Sequence, residues 1–584
     1  VWYLSRLLQN IPLSKQDQGQ LRASFAQLRA ALRHDRDEHI QRVAQEAATA
    51  PQGAVYKRLR PLLRFGGARR KQQTAPAVRF KNGALATDAE ERLQAWSEHF
   101  SEMERGQRMT PQELFQDCWQ QQQLQLDEFP DISYEDVVSR TGMEASMRRT
   151  SPGKSPGLDG IPGELLHFAP GPLARVIMPL ALKMSARLQE PVQWKGGQLF
   201  SAFKGKGDPT RCDSHRGLLV SSVLGKAMRA QFRKKLMVPY EDVASPLQLG
   251  GKAGVSCLVG SHVVRLFQQQ ARAAKQSYAI VFLDLRAAFY RVLRPAVAGR
   301  QFDEELIRRI MAEAGVPAHA VEELVTSLGA QTVLRRAGAT PWLQTAMGEL
   351  FSATWFQLGG QDDIVATTTG SRPGDSLADA TFNFLFAHML TALTAKLHAE
   401  GLITRIHWFK GRRSPWNKEG IETSTPASDI AWMDDLSLLV QDASPQCLLQ
   451  KTHRALAILL DACVTIAQAP NLKAGKTEVL FGLMGPGSRK VRGKLFRDFS
   501  PNIPVQTEHL GTVFVGICEQ YKHLGGIISA MGGCSKEVRG RVGAAWTAFG
   551  KHRKHIFQRP DVQVRDKAVL LDSLVFSTLF YGAG

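Results

Sequence analysis

Apolar residues along this chain follow two different periods. Leu21, Phe25, Leu28 and Leu32 recur at three- and four-residue steps, which predicts an amphipathic helix. Leu93, Trp96 and Phe100 predict a second near 88–104. Val538, Val542, Ala545 and Phe549 predict a third near 536–554, whose opposite face holds Lys536, Arg539, Lys551 and Arg553. Residues 302–350 read as further helices, and a Gly/Pro turn at 370–374 leads into an apolar helix with Leu377, Phe384, Leu385 and Met389. Other stretches follow strand rules. Tyr278–Leu283 is continuously apolar, as in a strand covered on both faces, and it ends in Asp284, with 285–289 expected to be helical. Ile430–Met433 and Leu436–Val440 flank Asp434 and Asp435, which predicts a β-hairpin with the acids at its tip. Residues 521–529 read as a short strand with a glycine pair, and the Lys/Arg-rich 405–418 as a surface loop. The mixture predicts an α+β fold.

At 584 residues the chain is too long for one small core, so several domains or subdomains are expected. Lys and Arg exceed Asp and Glu by 20, with a pI near 9.8, and so large an excess points to a polyanionic partner, most often nucleic acid. A basic surface without a partner is the plain alternative. The seven cysteines, at 118, 212, 257, 447, 463, 518 and 534, form no C-x-x-C pair. That argues against a zinc ribbon or a disulfide scaffold and for a reducing, intracellular setting. No apolar run has membrane length, and no signal peptide begins the chain. Since the chain starts without Met and stops just after an apolar run, it is expected to be a piece of something longer.

Candidate chemistry rests on acids and on basic loops. Adjacent carboxylates near a core repel unless neutralised, and a hard divalent cation is the usual answer, although an Asp pair in a turn is also common as a solvated turn. Asp284 could likewise be a helix cap. Lys154 lies in SPGKSPGLDG, a shaped loop that either faces phosphate or is simply a turn. Its G-K-S-P-G matches the nucleophile-elbow spacing but lacks the flanking strand and helix. Lys204, Lys206 and Arg216 bracket a Gly-rich turn suited to a triphosphate or a nucleic-acid strand backbone. Lys226, Arg229 and Arg233 share one helix face, either for nucleic acid or for solvent. A basic cluster at Lys57, Arg58, Arg60, Arg64, Arg69, Arg70 and Lys71 has the same two readings. LKAGKTEVL (472–480) is not a P-loop, because Pro470 stands where the first glycine belongs.

Taken in order, these pieces resemble the reverse transcriptase of non-LTR (LINE-type) retrotransposons: a Lys/Arg fingers loop, strand-Asp-helix, Gly-turn-helix, the Asp-Asp hairpin, Gly-Lys-Thr, then Tyr-x-x-Leu-Gly. The similarity spans roughly 150–584 and extends faintly to 78–103. It implies a right-hand polymerase, with fingers and an antiparallel-sheet palm at 146–520 and the start of a helical thumb, with a primer-grip strand, at 521–584. A helical, basic extension would occupy 1–145. The implied activity is RNA-directed DNA synthesis using two Mg²⁺ ions (Mn²⁺ as substitute) on Asp284, Asp434 and Asp435. Lys204, Arg216, Phe289, Arg372, Gly374 and Lys476 would contact the nucleotide. Lys154, Lys226, Arg229, Arg233, Tyr521, Gly525, Lys536 and Arg539 would contact nucleic acid. The implied partners are an RNA template, a DNA primer or target, and dNTPs, in the nucleus and with no membrane.

Three positions depart from the family pattern: Tyr290 replaces Asp, Pro373 replaces Gln, and Trp432-Met433 precede the Asp pair. Two alternatives therefore stay open, a catalytically degenerate RNA-binding relic and an intron maturase-type reverse transcriptase.

Overall fold

The computed structural model describes residues 14–51, 54–55, 58–59, 77–124, 130–299, 302–359, 361–410, 421–427, 429–498 and 501–582. Of the basic cluster at 57–71, only Arg58 falls within them. The chain divides into two compact units, residues 1–74 with 533–584 and residues 75–532. These divisions fall elsewhere than the expected boundaries after 145 and 520. Strand Gln107–Met109 pairs with Ile364–Thr367, which stitches the region before 145 into the large unit. Tyr521 stacks on Phe282 at 4.1 Å, which holds the 520–529 segment to the same unit.

The fold is α+β, and two sheets organise the large unit. The central one has six strands: β1 (Ser277–Leu283), β2 (Asp429–Trp432), β3 (Asp435–Asp442), β4 (Glu478–Gly482), β5 (Asn502–Gln506) and β6 (Thr512–Cys518). Their spatial order is β2-β3-β1-β4-β6-β5. All neighbours are antiparallel except β4 and β6, which run parallel, so the sheet is mixed rather than purely antiparallel. Every β1 residue is buried. Successive strand side chains point to opposite faces. Ala279, Val281 and Leu283 accordingly join the main core with Leu456 and Leu460, while Tyr278, Ile280 and Phe282 join a second core with Val264 and Phe267. Both faces being covered explains the unbroken apolar run.

A second sheet has five strands, in the order 107–109, 364–367, 354–358, 196–203, 215–221. Its last two form the hairpin that carries Lys204 and Arg216 at the end closed by the 204–214 loop.

Several helices match the apolar periodicity closely. Helix Ala89–Glu104 buries Trp96 and Phe100 behind an Asp88 N-cap, and Ser535–His552 fills the 536–554 prediction. Residues 302–350 resolve into helices 304–313, 318–328, 333–336 and 341–351. Three expectations fail. Residues 285–289 are not a helix: Leu285–Arg286 pairs with Ala469–Pro470, Ala287 is left-handed at φ 51°, and one 3-10 turn follows. Residues 405–410 of the expected 405–418 loop are a strand paired with 421–426, and 411–418 lie outside the described residues. The 521–529 stretch is two strands, because Leu524 (φ 47°) and Gly525 (φ 83°) make a two-residue turn between them.

Within the smaller unit, helix Lys15–Ala48 opens on a Ser14/Asp17 capping box. It buries Ile40, Val43, Ala44 and Ala47 with Ala545, Ile556 and Leu570, while Phe25, Leu28 and Leu32, expected to face a core, are exposed. No helix among the described residues is long and apolar enough to cross a membrane.

Candidate functional site

Strand register assembles the acids. Leu436 of β3 pairs with Leu283 of β1, so one step further along the ladder Asp435 faces Asp284. β2 and β3 are joined by only Met433 and Asp434, Trp432 pairing with Asp435. Met433 takes φ 57° while Asp434 does not, the pattern of a type II′ turn. The tip is braced from behind by Gly250: a Cβ there would lie 2.5 Å from the Met433 nitrogen, so no side chain fits. Leu249 N donates to Ala431 O at 2.8 Å, which fixes that approach.

The acids perturb one another. Burial, then the charges of Asp434 and Asp284, push Asp435 up to about 6, with Lys476 acting in the opposite sense. Burial also raises Asp434, as does Asp284, against Lys476 and Arg216. Three carboxylates from two strands and a turn thus share one electrostatic neighbourhood with two cations.

Asp284 is tightly held. Its carboxylate accepts from Asn471 Nδ2 at 2.7 Å and from Lys476 Nζ at 3.0 Å. Its N–H donates to Thr477 Oγ1 (3.2 Å) and its carbonyl accepts from Asn471 N (2.8 Å). The Tyr521 hydroxyl donates to Lys476 O at 2.8 Å, so the stacked Tyr521 ring steadies the residue that neutralises Asp284. Asn471 and Thr477 carry this geometry without having been singled out in the sequence. The Gly-Lys-Thr block pointed to Thr477, but Asn471 depends on the 469–470 pairing with 285–286, which no local pattern reveals.

The basic hairpin lies close by. Lys204 Nζ donates to Asp213 O at 2.6 Å, and partial burial together with Arg216 and Lys476 holds its ammonium below the usual lysine range. Arg216 is exposed. Phe289 is half-buried with its ring 5.0 Å from Phe382, and its carbonyl accepts from Ser371 N at 2.7 Å, tying it to the Gly/Pro turn.

A scan of the chain against protein-family models finds no match, and a search of the curated proteins finds none either.

The remaining candidates scatter. Lys154 is exposed and Gly374 sits at φ 100° on an exposed turn. Lys536 and Arg539 are exposed on helix Ser535–His552 of the other unit. Lys226, Arg229 and Arg233 do not make one exposed basic face. Arg229, 2% exposed, binds Glu190 through Nε (2.8 Å) and Nη2 (2.5 Å) and pairs with Asp375. Arg233 pairs with Asp379. Lys226 is half-buried, and that burial lowers its ammonium. Arg372 is also interior, 3% exposed and left-handed at φ 61°. Its nearest acid is Asp375 at 3.8 Å, and neither terminal guanidinium nitrogen is hydrogen-bonded. Helix Val223–Val243 packs against Ala378–Ala399, so the side chains expected on a binding face meet acids across a core contact instead.

For a metal, the donor set is oxygen-only and mutually repelling, the chemistry that suits Mg²⁺. As the side chains stand, no group of three or more His, Cys, Asp or Glu among the described residues is arranged around one ion. Asp284 is instead bonded by two nitrogens, so a cation there would have to take the place of the Lys476 contact.

Proposed function

We propose that this chain is an RNA-directed DNA polymerase of the non-LTR retrotransposon kind. The observation that carries the proposal is the β1–β3 register, which gathers Asp284, Asp434 and Asp435 beside Lys476 and the Lys204/Arg216 hairpin. In the right-hand description, the central sheet is the palm, the five-stranded sheet the fingers, and residues 533–582 the thumb.

Two Mg²⁺ ions, when bound, would acidify a primer 3′-hydroxyl and offset the charge of the triphosphate and leaving pyrophosphate. Asp284, Asp434 and Asp435 would hold them. Lys204 and Arg216 bind phosphate oxygens, a task for which a flexible ammonium and a forked guanidinium are both suited. Lys476 would exchange its contact with Asp284 for one with the departing phosphate and supply a proton there. Phe289, packed at a tilt against Phe382, would set its ring against the sugar and exclude a 2′-hydroxyl. In-line phosphoryl transfer needs position and charge neutralisation, so no protein nucleophile enters. The interior Arg372 and Arg229 act in this account as supports for the turn, not as contacts to a base pair.

Primer extension on an RNA template with Mg²⁺ tests the proposal, comparing the intact chain with Asp434→Asn. Incorporation that the substitution abolishes is the expected result. Equal incorporation by both, or none by either, refutes it. A second reading, a protein that holds RNA without copying it, draws on one observation: each oxygen of the Asp284 carboxylate already accepts from a nitrogen, one of them the Lys476 ammonium that would compete with a metal ion. That reading predicts RNA binding with no incorporation in the same assay.

A further inference from the structure

Beside the end of β1 the large unit encloses a cavity of about 710 Å³, walled by residues 79–83, helix Ala89–Glu104, the 208–213 turn and residues 286–293. That volume lies within the range of pockets for drug-sized ligands. It equals the liquid volume of roughly twenty waters, far more than phosphate or pyrophosphate alone would fill.

Six cationic side chains line it against four acidic ones. Two of the acids are ion-paired and two accept from neutral donors. Glu102 pairs with Lys81 at 2.6 Å and Asp213 with Arg211 at 3.3 Å. Asp208 accepts from Thr210 N and Oγ1 at 2.9 and 2.7 Å, and Glu98 accepts from Gln94 Nε2 at 2.9 Å. Arg79 donates to Gly83 O at 3.1 Å and to Thr210 Oγ1 at 3.4 Å, which leaves a trio of arginines from three places in the chain. Arg105 caps helix Ala89–Glu104, Arg286 lies in the short strand after Asp284, and Arg291 ends the 3-10 turn. Arg105 reaches only the exposed Glu313, at 3.4 Å. The side chains of Arg286 and Arg291 have no ion-pair partner among the described residues. Burial, then the charges of Arg105 and Arg286, hold the Arg291 guanidinium below its usual range, which marks the three as close neighbours. Three neighbouring like charges, with one exposed ion-pair partner at Arg105 and a weaker opposing influence of Glu102 on Arg291, call for an external anion.

The lining also holds apolar side chains, the half-buried Phe80 with Met103, Leu293 and Ile310. Condensed negative charge at one end and a flat apolar body at the other describe a nucleotide better than a bare phosphate. We propose that this cavity is a nucleotide-binding site separate from the carboxylate cluster, with the phosphates on Arg105, Arg286 and Arg291 and the base against Phe80 and Met103. The site stands whether or not the chain is a polymerase, because it needs neither metal nor primer.

Calorimetric titration of the full chain with dATP, in EDTA and without nucleic acid, tests it. One site is expected, with adenosine binding at least tenfold more weakly because the arginines would have nothing to hold. Arg286→Ala combined with Arg291→Ala should weaken dATP at least tenfold. Ala314→Phe, which fills the cavity and keeps every cation, should do the same. The pair Lys490→Ala, Arg492→Ala, two exposed cations that line neither site, should leave the affinity unchanged. The proposal is overturned by any of four results: no dATP binding, adenosine binding as tight as dATP, affinity preserved in both cavity variants, or affinity lost in the Lys490/Arg492 pair.

Discussion

The end of β1 and the interior of the Val223–Val243 helix both gather several charges, and they treat them in opposite ways. At the β1 end, three carboxylates meet at a partly open rim with Lys476 as the cation bonded to Asp284. Around Arg229, buried charges are matched one to one: Glu190 and Asp375 close on its guanidinium while Arg372 lies 3.8 Å from Asp375, all four side chains almost fully removed from solvent. An imbalanced cluster at a surface is poised to take up an ion. A balanced one in a core is already satisfied, and disturbing it is costly. The difference separates chemistry from architecture more reliably than residue type does.

The sharpest break of that comparison is Asp434→Asn. If the rim is a phosphoryl-transfer site, incorporation in a primer-extension assay falls at least about 10²-fold, the scale felt when one preorganised electrostatic contact to a transition state is lost, with the unfolding midpoint barely moved. Arg229→Ala should do the reverse. Removing one partner of a buried pair costs about 3–5 kcal/mol, read by denaturant unfolding. RNA affinity per folded molecule stays level, and a selective loss of RNA binding would restore Arg229 to the nucleic-acid face. Phe289→Ala should lower discrimination between dNTP and NTP by about tenfold or more, on the scale of one apolar contact in a specificity pocket, measured as the ratio of kcat/KM values.

The smallest effect concerns pH. Burial raises Glu104 to about 7, against the nearby Arg294 and Arg372. A carboxyl raised on folding binds its proton more tightly in the folded state, so stability declines as pH climbs from about 4.5 through 7. Glu104→Gln should therefore unfold about 1–3 °C higher than the parent at pH 8 and at the same temperature at pH 4. A parent that is the more stable of the two at pH 8 would show the ion pairing to outweigh the burial.

Much of the frame was legible because apolar periodicity is local. β1, the Asp hairpin, and the helices at 89–104 and 535–552 each follow from residues that speak only of their own segment. The three acids were legible as well, since the hairpin and the strand end mark them. What stayed hidden was relational. Nothing in Lys226, Arg229 and Arg233 announces that Glu190, Asp375 and Asp379 wait across the interface. A left-handed Ala287 cannot be read from a run of helix-forming residues, and it ends the expected helix before it starts. The Leu21–Leu32 stripe was the right helix with the wrong role, its exposed face lying well before the segment that reaches the core.

Gly250 has a mechanical consequence for the acid-bearing turn. With backbone seated hard against Met433, the tip of the β2–β3 hairpin has a stop on that side. Displacement toward residue 250 is blocked. A single methyl group added at that glycine would accordingly act as a wedge, shifting Asp434 while leaving every carboxylate in the chain untouched.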